Sequence, residues 1–157
     1  MWSWRSPSRS RADARAMSDD ALEHALRALR HRERSTAEID RRLEAQGVGE
    51  AERVQALERL VRTRLVDDRR YAELRAYSLA ERGAGDAFIR HELERAGISV
   101  DLVDDALATL ADERERAEAI VARRGGGPKT ARRLLGKGFA EDVVRAVVAE
   151  SGDEPLG

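Results

Sequence analysis

Three kinds of side chain in this sequence have types suited to chemistry: three histidines, an adjacent aspartate pair and several clusters of arginine and lysine. His24, His31 and His91 follow no metal-binding spacing such as H-E-x-x-H, so solvated positions on helix surfaces account for them better. Asp67-Asp68 follows Leu65-Val66 and precedes a helical pattern. The pair reads as a helix cap plus a first-turn acid favoured by the helix dipole, ahead of a metal or acid–base role. No serine lies in a G-x-S-x-G elbow. Gly125-Gly126-Gly127-Pro128-Lys129-Thr130 holds the ingredients of a phosphate loop, but Pro128 separates glycine from lysine and a helix precedes it where a strand is needed. A flexible link between helices is the expectation there. With no cysteine, disulfides and thiolate metal sites are excluded. The sequence therefore predicts no catalytic, cofactor-binding or metal-binding residues and no enzymatic activity.

The basic clusters remain. They are Arg30, Arg32 and Arg34; Arg41 and Arg42; Arg69 and Arg70; Arg123 and Arg124; and Lys129, Arg132, Arg133 and Lys137. For the first three, ordinary solvated faces with i,i+4 partners, such as Glu38 with Arg42, compete evenly with a functional role. No acid occurs between Arg123 and Ala140, so the last two clusters favour a contact surface. Charge clustering thus nominates Arg41, Arg42, Arg69, Arg70, Arg123, Arg124, Lys129, Arg132, Arg133 and Lys137 as contacts to a partner or to DNA. The formal net charge is only −1. Non-specific nucleic-acid binding needs concentrated positive charge, which only a local basic face supplies in this chain.

Helices must position these residues. Charged residues make up 38% and hydrophobic residues 41%, but aromatics only 4%, a composition that suits thin helical layers and not one thick core. Residues 1–17 surround Pro7 with Ser, Arg and Trp, lack a helical period and read as a disordered basic segment. Met17, followed by Ser18-Asp19-Asp20, is a candidate translation start, and Ser18 a candidate cap for a stripe of Leu22, Ala25, Leu26 and Leu29. Ser35-x-x-Glu38 is a capping box before Ile39 and Leu43. Further stripes are Val54, Leu57, Leu60 and Val61; Tyr71, Leu74 and Tyr77; Ile89 and Leu93; and Leu102, Val103, Ala106, Leu107 and Leu110. Ala117, Ile120 and Val121, then Ala131 and Leu134, then Val143, Val144, Val147 and Val148 complete the series.

Three junctions recur: Leu43-Glu44-Ala45-Gln46-Gly47-Val48, Leu93-Glu94-Arg95-Ala96-Gly97-Ile98 and Leu134-Leu135-Gly136-Lys137-Gly138-Phe139. In each, a leucine precedes a helix-stopping glycine by four residues and an apolar residue follows it, the pattern of a left-handed helix stop. Three copies in register make a repeat. The predicted fold is all-α: three tandem three-helix repeats, about nine helices, stacked into an elongated, curved array. The repeats are placed at 18–66, 67–111 and 112–150, with a frayed tail at 151–157.

The segments between these junctions resemble a known family. Arg32 through Ile39, the Leu43-to-Val48 junction, and above all Leu65-Val66-Asp67-Asp68-Arg69-Arg70-Tyr71-Ala72 are similar to the RecX family of RecA regulators. Glu81-Arg82-Gly83, Ile89 through Leu93, Gly97-Ile98 and Lys129 through Phe139 continue the likeness, which covers about residues 18–150. Asp86 stands where the family pattern expects a proline opening a helix, and Ala140 where a Ser or Asp cap is usual. The lack of a membrane-length apolar run and of a secretory-signal centre predicts a soluble, cytoplasmic protein, expected to be a monomer. The resemblance implies a non-enzymatic protein that binds the RecA filament and its single-stranded DNA. It would negatively modulate the recombinase, ATPase and coprotease activities of RecA, and with them DNA repair and the SOS response. The alternative is a helical DNA-binding module acting without RecA, against which the near-neutral charge and the shortage of aromatic stacking platforms weigh.

Overall fold

The three Leu-to-Gly junctions close the same backbone loop. Gly47, Gly97 and Gly138 take φ of +82°, +78° and +88°, the left-handed region that glycine enters without a Cβ penalty. In each copy the glycine N–H donates to the carbonyl three residues back, and the next N–H to the leucine carbonyl five residues back. The distances are 2.9 and 3.1 Å at Gly47 and Val48, 2.9 and 3.1 Å at Gly97 and Ile98, and 3.1 and 3.1 Å at Gly138 and Phe139. This pair of bonds satisfies carbonyls that a helix end leaves open and turns the chain back on the helix. The leucine that accepts is buried in every copy, so the stop signal and the core anchor are one device.

The computed structural model describes residues 11–152, with the side chains of 12–18 left undescribed. Among the described residues there are nine helices and no strand: α1 (Arg11–Leu29), α2 (Thr36–Ala45), α3 (Glu50–Arg62), α4 (Asp68–Glu81), α5 (Asp86–Arg95), α6 (Val100–Ala108), α7 (Glu113–Arg124), α8 (Pro128–Gly136) and α9 (Glu141–Gly152). The chain divides into two compact units, one ending at Asp67 and one beginning at Asp68. The first holds α1–α3 around Ala21, Ala25, Ala28, Ile39, Leu43, Ala56, Leu60 and Val66. The second holds two three-helix groups with separate cores, α4–α6 around Tyr71, Ala72, Ile89, Leu93 and Val103 and α7–α9 around Ala117, Ile120, Leu134, Phe139, Val144 and Val147. Side-chain caps open several helices: Ser35 Oγ accepts from Glu38 N at 3.1 Å, Ser99 Oγ from Leu102 N at 3.4 Å and Asp112 Oδ1 from Arg114 N at 2.9 Å.

Several expectations need correction. α1 begins at Arg11, so residues 11–17 are helical and Ser18 lies inside the helix. Ala and Arg dominate that stretch and are strong helix formers, so nothing stops the helix from extending. The rest of the disordered-segment expectation, residues 1–10, lies outside the described residues. In α3 the buried pair is Ala56 and Leu60, whereas Val54 and Val61 are about half exposed. In α4 the buried face is Tyr71, Ala72, Ala76 and Leu79, and Leu74 and Tyr77 point outward. Reading large apolar residues as the stripe overlooked alanine, whose small side chain lets neighbouring helices approach closely. At the other end α9 runs through Ser151 and Gly152, and a Cβ on Gly126 would collide with the Ser151 side chain. The triple-glycine link is therefore packed against α9 at its centre, not merely a flexible link.

One left-handed position is not a glycine. Arg64, in the turn after α3, has φ +59°, with Arg64 N donating to Val61 O and Leu65 N to Leu60 O, both at 3.0 Å. A side chain there costs about 1–2 kcal/mol, partly offset because glycine loses more entropy on folding. Arg64→Gly is expected to stabilise the protein by about 0.5–1 kcal/mol, read as a higher urea midpoint with an unchanged slope.

Within the second unit, α4–α6 and α7–α9 meet through backbone. Gly85 N donates to Lys137 O at 2.8 Å and Ala87 N to Gly138 O at 3.2 Å. The chains approach so closely that a Cβ on Gly85 would fall within 3 Å of backbone atoms of Gly138 and Phe139. Two side chains of α7 complete the joint. Glu113 accepts from Asp86 N (2.8 Å) through one carboxylate oxygen and from Ala140 N (3.4 Å) through the other. The first departure from the family pattern is thereby answered, since Asp86 supplies an N–H that proline lacks. At the second, Glu113 takes the N–H of Ala140 itself and not the first-turn N–H that a Ser or Asp cap would accept. Arg116 donates to Ala84 O at 2.7 Å and Ala111 O at 3.0 Å, and to the Asp86 carboxylate. Its guanidinium also lies 5.8 Å from the centre of the Phe139 ring.

Candidate functional site

Arginine is abundant in this chain, and many arginines are held by nearby carboxylates. Arg53 pairs with Asp40 (2.9 Å), Arg69 with Asp105 (3.0 Å), Arg75 with Glu92 (3.3 Å) and Arg90 with Asp104 (2.8 Å). Arg114 bonds Glu118 and Glu150, two carboxylates that hold its guanidinium pKa above the ordinary arginine value. The acids around α6 and the start of α7 are largely engaged too, since Asp104 and Asp105 pair with arginines while Asp112 and Glu113 accept backbone N–H groups at helix starts.

One surface instead gathers cations that no carboxylate holds. A hollow of about 450 Å³ in the second unit is lined by Arg82, Arg123, Arg124, Arg133 and Lys137, with Glu81 as its one acid. Among the described residues no ion pair engages any of these five cations, and the bond made by Arg123 is to its own helix, at the Ala119 carbonyl (3.4 Å). Three helix ends converge to build it. Arg82 follows α4, Arg123 and Arg124 form the last turn of α7, Arg133 lies in the last turn of α8, and Lys137 caps α8. Cations at helix C-termini are favoured by the macrodipole, so a structural purpose must be weighed first. Each helix end carries roughly −0.5 of charge. Three such ends and one carboxylate still leave the hollow positive by roughly +2 to +3. That surplus is available to an anion from outside.

The nominated residues thus separate. The structure brings Arg123, Arg124, Arg133 and Lys137 together. Lys129 and Arg132, also on α8, are exposed but do not line the hollow. Arg69 is engaged with Asp105 at the start of α4, beside Arg70. Arg41 and Arg42 belong to α2 in the other unit, where Arg41 Nε donates to Ala37 O at 3.3 Å. The expected Glu38–Arg42 pairing is replaced by Glu38 with Arg32, at 3.6 Å. Two residues at the site escaped the sequence reading. Arg82 stands alone between Glu81 and Gly83, so no run of charge marked it. Tyr77, which helical spacing puts on the stripe with Tyr71 and Leu74, is 61% exposed and lines a second hollow that shares Glu81, Gly83, Ile120 and Arg123 with the first.

His24 is half-buried, whereas His31 and His91 are exposed. No group of three or more His, Asp or Glu among the described residues is placed to hold a metal ion, and no helix there is long and apolar enough to cross a membrane.

Comparison with known proteins accounts for the architecture. A family model for the second three-helix domain of RecX matches residues 67–107. The chain is 33% identical over 136 residues to the regulatory protein RecX of Trichlorobacter lovleyi, covering 77% of this chain and 88% of that protein. It is 31% identical over 153 residues to the regulatory protein RecX of Halorhodospira halophila, covering 91% of this chain and 95% of that one. A crystal structure of RecX from Lactobacillus salivarius matches with a TM-score of 0.75 at 22% identity, over 88% of this chain and 98% of that one, and shows the same fold. With the threefold helix-stop device, nine helices among the described residues and these relatives together, the chain belongs to the RecX family of regulatory proteins.

Proposed function

We propose that this protein binds RecA–DNA filaments and negatively modulates the recombinase, ATPase and coprotease activities of RecA. It acts as a cytoplasmic monomer and without catalysis of its own, and through RecA it restrains DNA repair and the SOS response. The observation that carries the reading is the hollow in which five cations, none of them in an ion pair, converge on one face. A regulator that docks on a filament of protein and nucleic acid needs a local anion-binding face, not a high overall charge. The remaining nominated cations, Lys129 and Arg132 on α8 and Arg41, Arg42, Arg69 and Arg70 elsewhere, belong to the same reading as secondary contacts.

The test is the ATPase of RecA on single-stranded DNA at rising concentrations of this protein. Inhibition that saturates at or below an equimolar ratio is the expected result, and full ATPase activity at that ratio overturns the proposal. Reversing the charge at Arg132, Arg133 and Lys137 is expected to raise the half-inhibitory concentration at least tenfold, with helicity by circular dichroism unchanged. Unaltered inhibition by that variant removes α8 from the contact surface.

A further inference from the structure

The two adjoining hollows of the second unit differ in what they offer. The first presents five unpaired cations. The second, about 430 Å³, has the exposed ring of Tyr77 on its wall, with Thr109, Ala119 and Ile120. Arg123 lines both, as do Glu81, Gly83 and Ile120, so cationic and aromatic surfaces are continuous. Tyr77 has no packing reason to be there. The buried face of α4 is Tyr71, Ala72, Ala76 and Leu79, which leaves the Tyr77 ring 61% open to solvent.

We infer that this pair of hollows is a subsite for single-stranded nucleic acid, in which Tyr77 stacks on a base and Arg124, Arg133 and Lys137 hold the flanking phosphates. Arginine forks match phosphate oxygens bidentately. A ring beside a cationic groove is the arrangement by which single strands are bound without regard to sequence, because every base has a π-face. A duplex hides its bases and offers nothing to the ring. An acidic peptide would satisfy the cations but leaves Tyr77 without a role, and the exposed ring is what favours the nucleic acid. Arg123, which lines both hollows, is placed to reach a phosphate. The inference rests on the function proposed above in that the strand is the one the filament carries.

The experiment is fluorescence anisotropy of a labelled oligothymidylate with the full-length protein alone, repeated over a range of salt. Tyr77→Ala is expected to weaken binding about tenfold with the salt slope unchanged, since stacking releases no counterions. Tyr77→Phe is expected to bind as the parent does. Arg124→Ala and Arg133→Ala are each expected to flatten the log–log salt slope by about 0.7, the value for one phosphate contact on a single strand. Arg62→Ala, at the exposed end of α3 in the other unit, serves as the control and should change neither. All these positions are exposed, so circular dichroism and the urea midpoint should match the parent.

Unchanged binding in Tyr77→Ala and in Arg124→Ala overturns the subsite. Displacement of the oligonucleotide by polyglutamate, with Tyr77→Ala behaving as the parent, replaces it with a site for an acidic protein segment. Running the same variants in the RecA ATPase assay keeps the two proposals apart. A parent protein that binds the strand through Tyr77 but leaves RecA active retains the subsite and loses the regulatory reading. Inhibition of RecA with no dependence of strand binding on Tyr77 does the reverse.

Discussion

Gly85→Ala should dislodge the α7–α9 group from the α4–α6 group and lower stability by about 1–3 kcal/mol, the range for overpacking a tight contact. The backbone conformation at Gly85 suits any residue, so strain in φ plays no part. Its added methyl would lie within 3 Å of backbone atoms of Gly138 and Phe139, which cannot move aside as a side chain can. Separation to ordinary contact distance would also stretch the bonds from Gly85 N to Lys137 O and from Ala87 N to Gly138 O. Gly127→Ala is the matched control, because a Cβ there meets nothing within 4 Å. Urea unfolding of the two variants should differ by the stated amount. Amides of α5 and α9 should lose hydrogen-exchange protection in Gly85→Ala only. Equal midpoints would mean that the backbone joint is looser than these distances imply.

Arg116→Met should cost about 2–3 kcal/mol, since the methionine keeps most of the aliphatic bulk and removes every donor. The arginine side chain is 12% exposed, and its guanidinium serves two carbonyls and the Asp86 carboxylate. Hydrogen bonds to a charged group contribute about 1.5–3 kcal/mol where the group is poorly hydrated. Asp86 is 43% exposed and water can reach it once the arginine is gone, which sets the figure below the range for a fully buried pair. Asp86→Asn in the Arg116→Met background should then cost less than Asp86→Asn alone. That double-mutant cycle measures the coupling directly, and additive losses would show that the two side chains act independently.

The helix-stop glycines were legible because their requirement is local. A left-handed C′ residue followed by an apolar one leaves its mark within six positions, and three copies identify one another. Helix faces were less legible. Sequence reading weights large apolar side chains, and in α4 it chose Leu74 and Tyr77 over Ala72 and Ala76. Alanine carries little hydrophobic signal, although it decides where two helices can touch. The start of α1 failed for a related reason, since an Ala- and Arg-rich segment has helical propensity without a stripe to announce it. At the site, Arg123, Arg124, Arg133 and Lys137 were visible as an acid-free run. Arg82 was not, because its place in the hollow depends on the meeting of α4, α7 and α8 and not on any neighbour in sequence. Nor could spacing show which cations are spent. Arg69 looked as available as Arg124 until Asp105, thirty-six residues away, was seen to claim it.

The double service of Glu113 bears on how portable the parts are. A helix that opens with proline is self-sufficient at its first position, because it has no N–H there to satisfy. This chain opens α5 with Asp86 and delegates that N–H to a residue encoded beyond α6. A fragment excised at the end of α6 would carry every core residue of its group and still begin α5 with an open donor. The α4–α6 group is therefore not wholly self-contained: once excised, its Asp86 N–H must find water in place of Glu113.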